Sequence, residues 1–521
     1  MRLGLNLSLS APSGSAAPSV PTPSNYDYIW FTDSRGAFGQ QSTLDANGFT
    51  QNDTYMNMFR WASRLSNYRI RPGLFPNYGI TGNSTTQMIA NPRQNASNVV
   101  TTGYWYRPET FTGQTGASGN KGYVEVNADS AGIAFVLMGT NDNTVTMPTT
   151  TQANMTTLLN SLTGKVVVIL NEMPRGINKT GASQSAVTDG ANRKTYSDWI
   201  NTLDFQSGHP NSRPNVIVVD SWGETVNPAS GPNWTNLQGY FYDGVHQGQW
   251  GARKLGQKIV DRLSTVWAGQ WASLPQRFPI PTTDGLSVPA DAQPFVNTNP
   301  IFTPGTNGTT SGTFGTAPSA STIPQEWGIN ANSNCSTMTV VSDKTVTGPD
   351  GEPAVKLTIS GTALTANTVS SILLRQQICT NNAGWAALLS ANRIALTDMI
   401  RAVGRYKVDP GSAVLHGVSL QWLVTASPAA GSLKAFDGNV TSSANDLANS
   451  SGKDVYDQNA WYYQLTQMTR LDEPNMSANA LTSANGTVLT LQWDIRFLHD
   501  GTTAPAATIY FSRTGLARVA S

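Results

Sequence analysis

IAFVLMGTNDN, residues 133–143, is the stretch on which the fold turns. Six apolar residues, Ile133 to Met138, run without a polar break and stop at Gly139. A half-exposed strand would alternate apolar and polar residues. An unbroken run this short, closed by glycine, reads as a strand buried on both faces. The same pattern recurs in YIWF (28–31), KVVVIL (165–170) and NVIVVD (215–220), with a weaker strand at 69–76. Helical periods lie between them. TYMNMFRWASRLS (54–66), with Asp53 as its expected cap, places Tyr55, Phe59, Ala62 and Ser66 on one side. QANMTTLLNSL (152–162) aligns Met155, Leu158, Leu159 and Leu162, and NRKTYSDWINTLD (192–204) follows. GQWGARKLGQKIVDRLSTVW (248–267) aligns Leu255, Ile259, Leu263 and Val266. Strand–helix alternation of this kind predicts a three-layer α/β sandwich around a parallel sheet, here over residues 25–272.

The pattern changes on either side. Leu3, Leu5, Leu7 and Leu9 alternate with other residues, so residues 1–24 read as a short β-arm and a Ser/Pro/Ala linker, not as a signal peptide. Residues 273–296 are proline-rich and read as a linker. Residues 297–521 offer short strands separated by turns, among them TMTVVS, AVKLTIS, TVLTLQWDIRFL and ATIYFSR, and predict an all-β sandwich or jelly roll. NNAGWAALLSANRIALTDMI (381–400) is left open between helix and sheet.

Composition removes several function classes. The chain has 521 residues, 33 basic and 32 acidic, for a net charge of +1. No electrostatic footprint for nucleic acid or an anionic membrane exists in that balance, and no apolar run is long enough to span a bilayer. Only 12% of residues are charged, a weak pointer to an extracellular or virion-type surface. Cys335 and Cys379 are the only cysteines, which excludes a disulfide framework. Whether they bridge or lie as two buried thiols stays open. The four histidines are scattered, so no metal site is expected, and no phosphate-binding loop is present.

Four stretches carry chemistry when taken together: Thr32-Asp33-Ser34 after the first strand, NYGITGNSTT (77–86) with Gly82, Gly139-Thr140-Asn141-Asp142, and Asp243-Gly244-Val245-His246 before the last helix. A serine hydroxyl is a weak nucleophile until a base takes its proton, and His246 is the candidate base for Ser34. Asp243, three residues before it, can orient the imidazole. The N–H groups of Ser34 and Gly82 and the Asn141 amide are candidate donors to an oxyanion. Each residue alone has a plainer reading. Ser34 and Asp243 suit helix caps, His246 suits packing on the final helix, and Asn141 and Gly82 suit turns. Asp142 is assigned to the structure of its turn. Glu172 and Arg175, in NEMPR, lie at the same strand-end edge, to line a pocket or to pair with each other. Tyr104, Trp105 and Tyr106 form an aromatic cluster that suits either sugar stacking or a local core. Trp422, Trp461, Tyr462, Tyr463 and Trp493 are assigned to the sandwich core.

In order and spacing, the four stretches resemble the sequence blocks of the SGNH hydrolase (GDSL esterase/lipase) superfamily across residues 26–270. The resemblance implies a flavodoxin-like parallel sheet and a carboxylic ester hydrolase without a cofactor. It implies catalytic Ser34, Asp243 and His246, with an oxyanion hole of Ser34, Gly82 and Asn141. The chain departs from the family at Thr32, where glycine is usual, and threonine does not reach positive φ at low cost. Stretches at 299–328 and 507–519 look like the C-terminal modules of bacteriophage tail fibre and tail-spike proteins. That likeness implies a virion-attached enzyme acting extracellularly as an O-deacetylase on acetylated bacterial surface polysaccharide. Its N-terminal arm would meet other tail proteins, and a homotrimer would follow from that setting alone. Two alternatives stand beside it: a secreted bacterial carbohydrate esterase, and a non-catalytic receptor-binding or structural tail protein on the same scaffold.

Overall fold

The computed structural model describes residues 18–37, 57–66, 68–77, 130–142, 147–162, 164–178, 190–241, 243–274, 295–426, 459–466 and 481–519, with short pieces at 43–45, 48–50, 84–86, 181–183, 431–437 and 469–471. Gly82 and the aromatic cluster 104–106 lie outside the described residues, as do the arm at 1–17 and most of the expected linker, 275–294.

Five strands form a parallel sheet: β1 (Asp27–Thr32), β2 (Arg71–Asn77), β3 (Ile133–Leu137), β4 (Val166–Leu170) and β5 (Val216–Val219). Their order across the sheet is β2-β1-β3-β4-β5. This is the flavodoxin-like order, and its direction of growth reverses between β1 and β3. The apolar runs are explained by burial on two sides. Tyr28 and Trp30 face one core, with Ile133, Phe135, Leu137, Val168 and Ile217. Ile29 and Phe31 face the other, with Ala134, Val136, Val167, Ile169 and Val218. The first core is covered by α2 (Met58–Leu65) and α6 (Gln249–Val266), the second by α3 (Gln152–Ser161) and α4 (Gly190–Asn201). The short helices α1 (Ser34–Ala37) and α5 (Ser221–Thr225) follow β1 and β5. Leu255, Ile259 and Leu263 of α6 are each fully buried, which stabilises by about 1.5–3 kcal/mol per side chain.

Two six-stranded sheets form the second part. Its strands are β6 (Thr309–Ser311), β7 (Gly328–Ser333), β8 (Met338–Asp343), β9 (Ala354–Gly361), β10 (Val369–Cys379), β11 (Met399–Val408), β12 (Leu415–Ala426), β13 (Gly431–Asp437), β14 (Tyr462–Leu465), β15 (Thr469–Arg470), β16 (Gly486–Leu498) and β17 (Ala506–Val519). One sheet runs β8-β9-β17-β11-β14, with β15 against β11; the other runs β13-β12-β16-β10-β7-β6. All pairs are antiparallel except β6 with β7. Their shared core holds Trp327, Trp385, Trp422, Trp493, Phe497 and Phe511. Trp461 is only partly buried, at the rim against Tyr510. Cys335 and Cys379 are both buried free thiols, and burial pushes both above the usual thiol range.

The structure corrects three sequence expectations and resolves one that was left open. The cap of α2 is Asn57, whose side chain accepts from Arg60 N; Asp53 lies outside the described residues. The expected single apolar face of that helix is also wrong, because Met58 through Arg64 are all buried. One side meets the parallel sheet. Trp61 joins the sandwich core, Arg60 donates to the Leu465 carbonyl, and the Arg64 guanidinium lies over the Trp61 and Tyr406 rings at 4.8 and 5.1 Å. The segment 381–400 splits: helix α7 (Asn382–Ser390), capped by Asn381, is followed by the start of β11. Phe295 and Val296, counted with the linker, are buried in the sandwich, where Val296 N–H donates to the Leu516 carbonyl at 2.9 Å.

Candidate active site

Register brings the first and third stretches together. Thr32 pairs with Leu137 across β1 and β3, and Asp33 N–H donates to the Leu137 carbonyl. Ser34 and Gly139 therefore leave the sheet side by side at its C-terminal edge, where the strand order reverses. In doubly wound sheets this crevice is where ligands bind.

Ser34 opens α1 and its side chain faces His246. The Ser34 Oγ to His246 Nε2 distance is 2.9 Å, and His246 Nδ1 lies 2.7 Å from Asp243 Oδ2. The other oxygen of Asp243 accepts the backbone N–H groups of Val245 (2.9 Å) and His246 (2.7 Å), which folds the turn onto itself. Gly176, after β4, donates its N–H to the Gly244 carbonyl at 2.8 Å and ties that turn to the sheet. Burial pushes the Asp243 carboxyl up. The hydrogen bond and charge of His246, with the two backbone donors, outweigh it and hold the group below the usual carboxylate range. An ionised Asp243 fixes the proton on His246 Nδ1 and leaves Nε2 free to accept from Ser34.

The backbone around Ser34 is almost fully committed. Asp33 N–H goes to Leu137, Arg35 N–H to Asp33 Oδ1 and Gly36 N–H to the Asp33 carbonyl. Among the described residues Ser34 N–H faces no acceptor, as an oxyanion donor should. Asn141 sits exposed in the neighbouring turn. Asp142 does structural work, as expected: it accepts from Thr85 N–H and Thr85 Oγ1, so the turn after β3 holds the stretch that follows Gly82. Burial raises the Asp142 carboxyl against the pull of those Thr85 bonds.

The departure at Thr32 requires no positive φ, although its buried Oγ1 has no hydrogen-bond partner among the described residues. Thr32 is an extended, fully buried strand residue. A Cβ on Gly36 would stand 2.3 Å from Thr32 Oγ1, so the bare glycine leaves the space that the threonine fills.

Sequence reasoning missed the floor of the site. Glu172 does not pair with Arg175. Its Oε2 lies 2.6 Å from Arg35 Nη2 and its Oε1 lies 2.7 Å from Arg193 Nη1. Arg35 also reaches Asp33 at 3.5 Å. The Thr140 carbonyl accepts from Arg193 Nη2 (3.1 Å) and from Arg175 Nη1 (3.2 Å). Burial opposes the charge of Arg35, but Glu172 and Asp33 prevail and raise its pKa. One signal was available: a glutamate at the end of an apolar strand needs a cation, and an arginine stands beside Ser34.

No family model and no curated protein matches the chain. Among solved structures it is similar to a protein described as a GDSL-like lipase from Parabacteroides merdae, at 13% identity over 47% of this chain and 98% of that one, with a TM-score of 0.29. It is also similar to a carbohydrate esterase of family 3 from Talaromyces cellulolyticus, at 14% identity over 46% of this chain and 97% of that one (TM-score 0.25). A third is a carbohydrate-binding module of the β-sandwich superfamily, at 10% identity over 37% of this chain and 56% of that one (TM-score 0.22). At these values the likenesses carry no argument, and the fold rests on the strand order and packing above.

Proposed function

We propose that the chain is a serine carboxylic ester hydrolase of SGNH type. The observation that carries the proposal is the continuous contact from Ser34 Oγ through His246 to Asp243 at the sheet's reversal point. His246 Nε2 takes the Ser34 proton as Oγ attacks the ester carbonyl. Asp243 stabilises the imidazolium that forms. The oxyanion meets Ser34 N–H, the Asn141 amide and Gly82 N–H. Each such donor is worth about 10²–10³ in kcat. His246 returns its proton to the departing alcohol, then activates the water that releases the acid.

The finer reading is O-deacetylation of acetylated bacterial surface polysaccharide by a virion-attached enzyme. Support for the polysaccharide is the second, sandwich part of the chain and its polar, weakly charged composition. The tail setting rests on the sequence resemblance alone.

The test is acetate release from a small chromogenic acetyl ester and from an acetylated polysaccharide, comparing the full chain with Ser34→Ala. Release is expected from the first, with kcat reduced about 10⁶-fold in the second. If neither releases acetate and both bind the polysaccharide, the receptor-binding reading replaces the enzyme.

A further inference from the structure

Beneath the triad lies a set of buried charges that the chemistry above does not use. Asp33, Arg35, Glu172 and Arg193 are each at most 1% exposed. Taking charges out of water costs several kcal/mol per ion, and well-packed apolar side chains often stabilise as well or better. Such a network is therefore a poor way to hold a sheet together. Its placement suggests another use.

Glu172 is the member that joins two turns. Through Oε2 it holds Arg35, which belongs to the Ser34 turn and also reaches Asp33. Through Oε1 it holds Arg193, which grips the Thr140 carbonyl in the turn that carries Asn141. The carboxylate itself lies against the second turn. Gly139 has φ +131, and a Cβ there would stand 3.2 Å from Glu172 Oε2 and 2.8 Å from the Tyr196 ring. One side chain thus sets the spacing between the nucleophile and the segment that presents its oxyanion donor.

We propose that Glu172 is a positioning residue. Through Arg35 and Arg193 it fixes the Ser34 turn relative to the 139–142 turn, so that attack and oxyanion capture are aligned. This rests on the esterase reading of the same site. Glutamine at 172 is nearly isosteric, but its amide opposes a guanidinium with N–H donors, so only one of the two turns stays held. The loss falls on the transition state, not on substrate binding.

The experiment uses the full chain, the chromogenic acetyl ester and stoichiometric labelling of Ser34 by a fluorophosphonate, with thermal melting alongside. In Glu172→Gln, kcat per labelled serine is expected to fall about 100-fold, the scale of a misplacement near 1 Å. KM is expected to stay within about two-fold, the signature of an interaction made only in the transition state. A merely structural role would lower Tm and the number of labelled sites and leave kcat per site unchanged; that result overturns the proposal. Arg193→Lys carries the test should Glu172→Gln not fold. An ammonium keeps the charge but loses the rigid fork whose two nitrogens reach Glu172 and the Thr140 carbonyl separately, and kcat per site should fall about 10-fold. A wild-type chain that neither turns over the ester nor labels at Ser34 removes the esterase reading and this inference with it. An active wild type with unchanged variants removes this inference alone.

Discussion

Two serine–histidine contacts of equal length stand out among the described residues, and they differ in what lies behind the imidazole. Ser34 and His246 meet at 2.9 Å at the edge of the parallel sheet; Ser370 and His499 meet at 2.9 Å inside the sandwich. His246 Nδ1 faces a carboxylate at 2.7 Å, so it holds a proton and Nε2 can accept one. His499 Nδ1 accepts from Leu364 N–H at 3.1 Å, so its proton must sit on Nε2 and point at the serine. Ser370 in turn donates to the Asn334 carbonyl at 2.7 Å. Its hydroxyl is spent, and its histidine has no lone pair to offer it. Proximity of the two residue types is thus insufficient; the third group decides the tautomer, and the tautomer decides the chemistry.

The sharpest way to break this comparison is Asp243→Asn, which preserves shape and removes the charge that selects the tautomer. Turnover of the acetyl ester should fall about 10⁴-fold with the fold intact. A small loss would mean that the carboxylate does not select the tautomer. Ser370→Ala should leave kcat and KM unchanged. Its cost is in stability, about 1–3 kcal/mol, because a buried His499 N–H loses its acceptor. Denaturant unfolding measures that term, and an activity loss would contradict the structural role.

The smallest effect is in pH. Burial lowers the His499 pKa below the usual imidazole value, against a weaker pull from Asp500. A depressed folded value means that the unfolded chain binds the proton first. The stabilisation is complete above about pH 6.5 and is lost as the pH falls from there through the folded value. His499→Gln should therefore show a shallower drop in Tm between about pH 7 and 5 than the wild type. Asp243, also depressed, acts in a separate window, because its contribution is lost only as pH falls below about 3.9.

Legibility in the sequence followed the reach of each interaction. β1, β3, β4 and β5 stood out because a strand buried on both faces must be apolar throughout. β2 was faint: it lies at the edge, and Pro72 and Pro76 fit only where a ladder bond is not required. α2 misled because it has no solvent face. The sandwich covers the side that would have been polar, and Arg60 and Arg64 are polar residues in contact with protein. In the candidate site, Asp243 and His246 were readable as neighbours because a single turn joins them. Ser34 joined them only through the resemblance of the four blocks to a family pattern, since 212 positions separate it from His246. The bond between Arg35 and Glu172 spans 137 positions; the sequence signals that Glu172 needs a cation, not which one it meets.

By itself, then, the amino-acid order determined the alternation of strands and helices, the division into an α/β part and a β part, and the closeness of Asp243 to His246. These follow from periods of two and 3.6 residues and from short spacings, which act within a few residues of chain. Only the tertiary structure decided which guanidiniums meet Glu172, which serine–histidine contact can move a proton, and how the sandwich closes over α2. Those outcomes depend on strand order and register. β1 lies beside β3 because the sheet grows both ways from its first strand, and that neighbour relation places Ser34 next to Gly139 across a hundred residues of intervening chain.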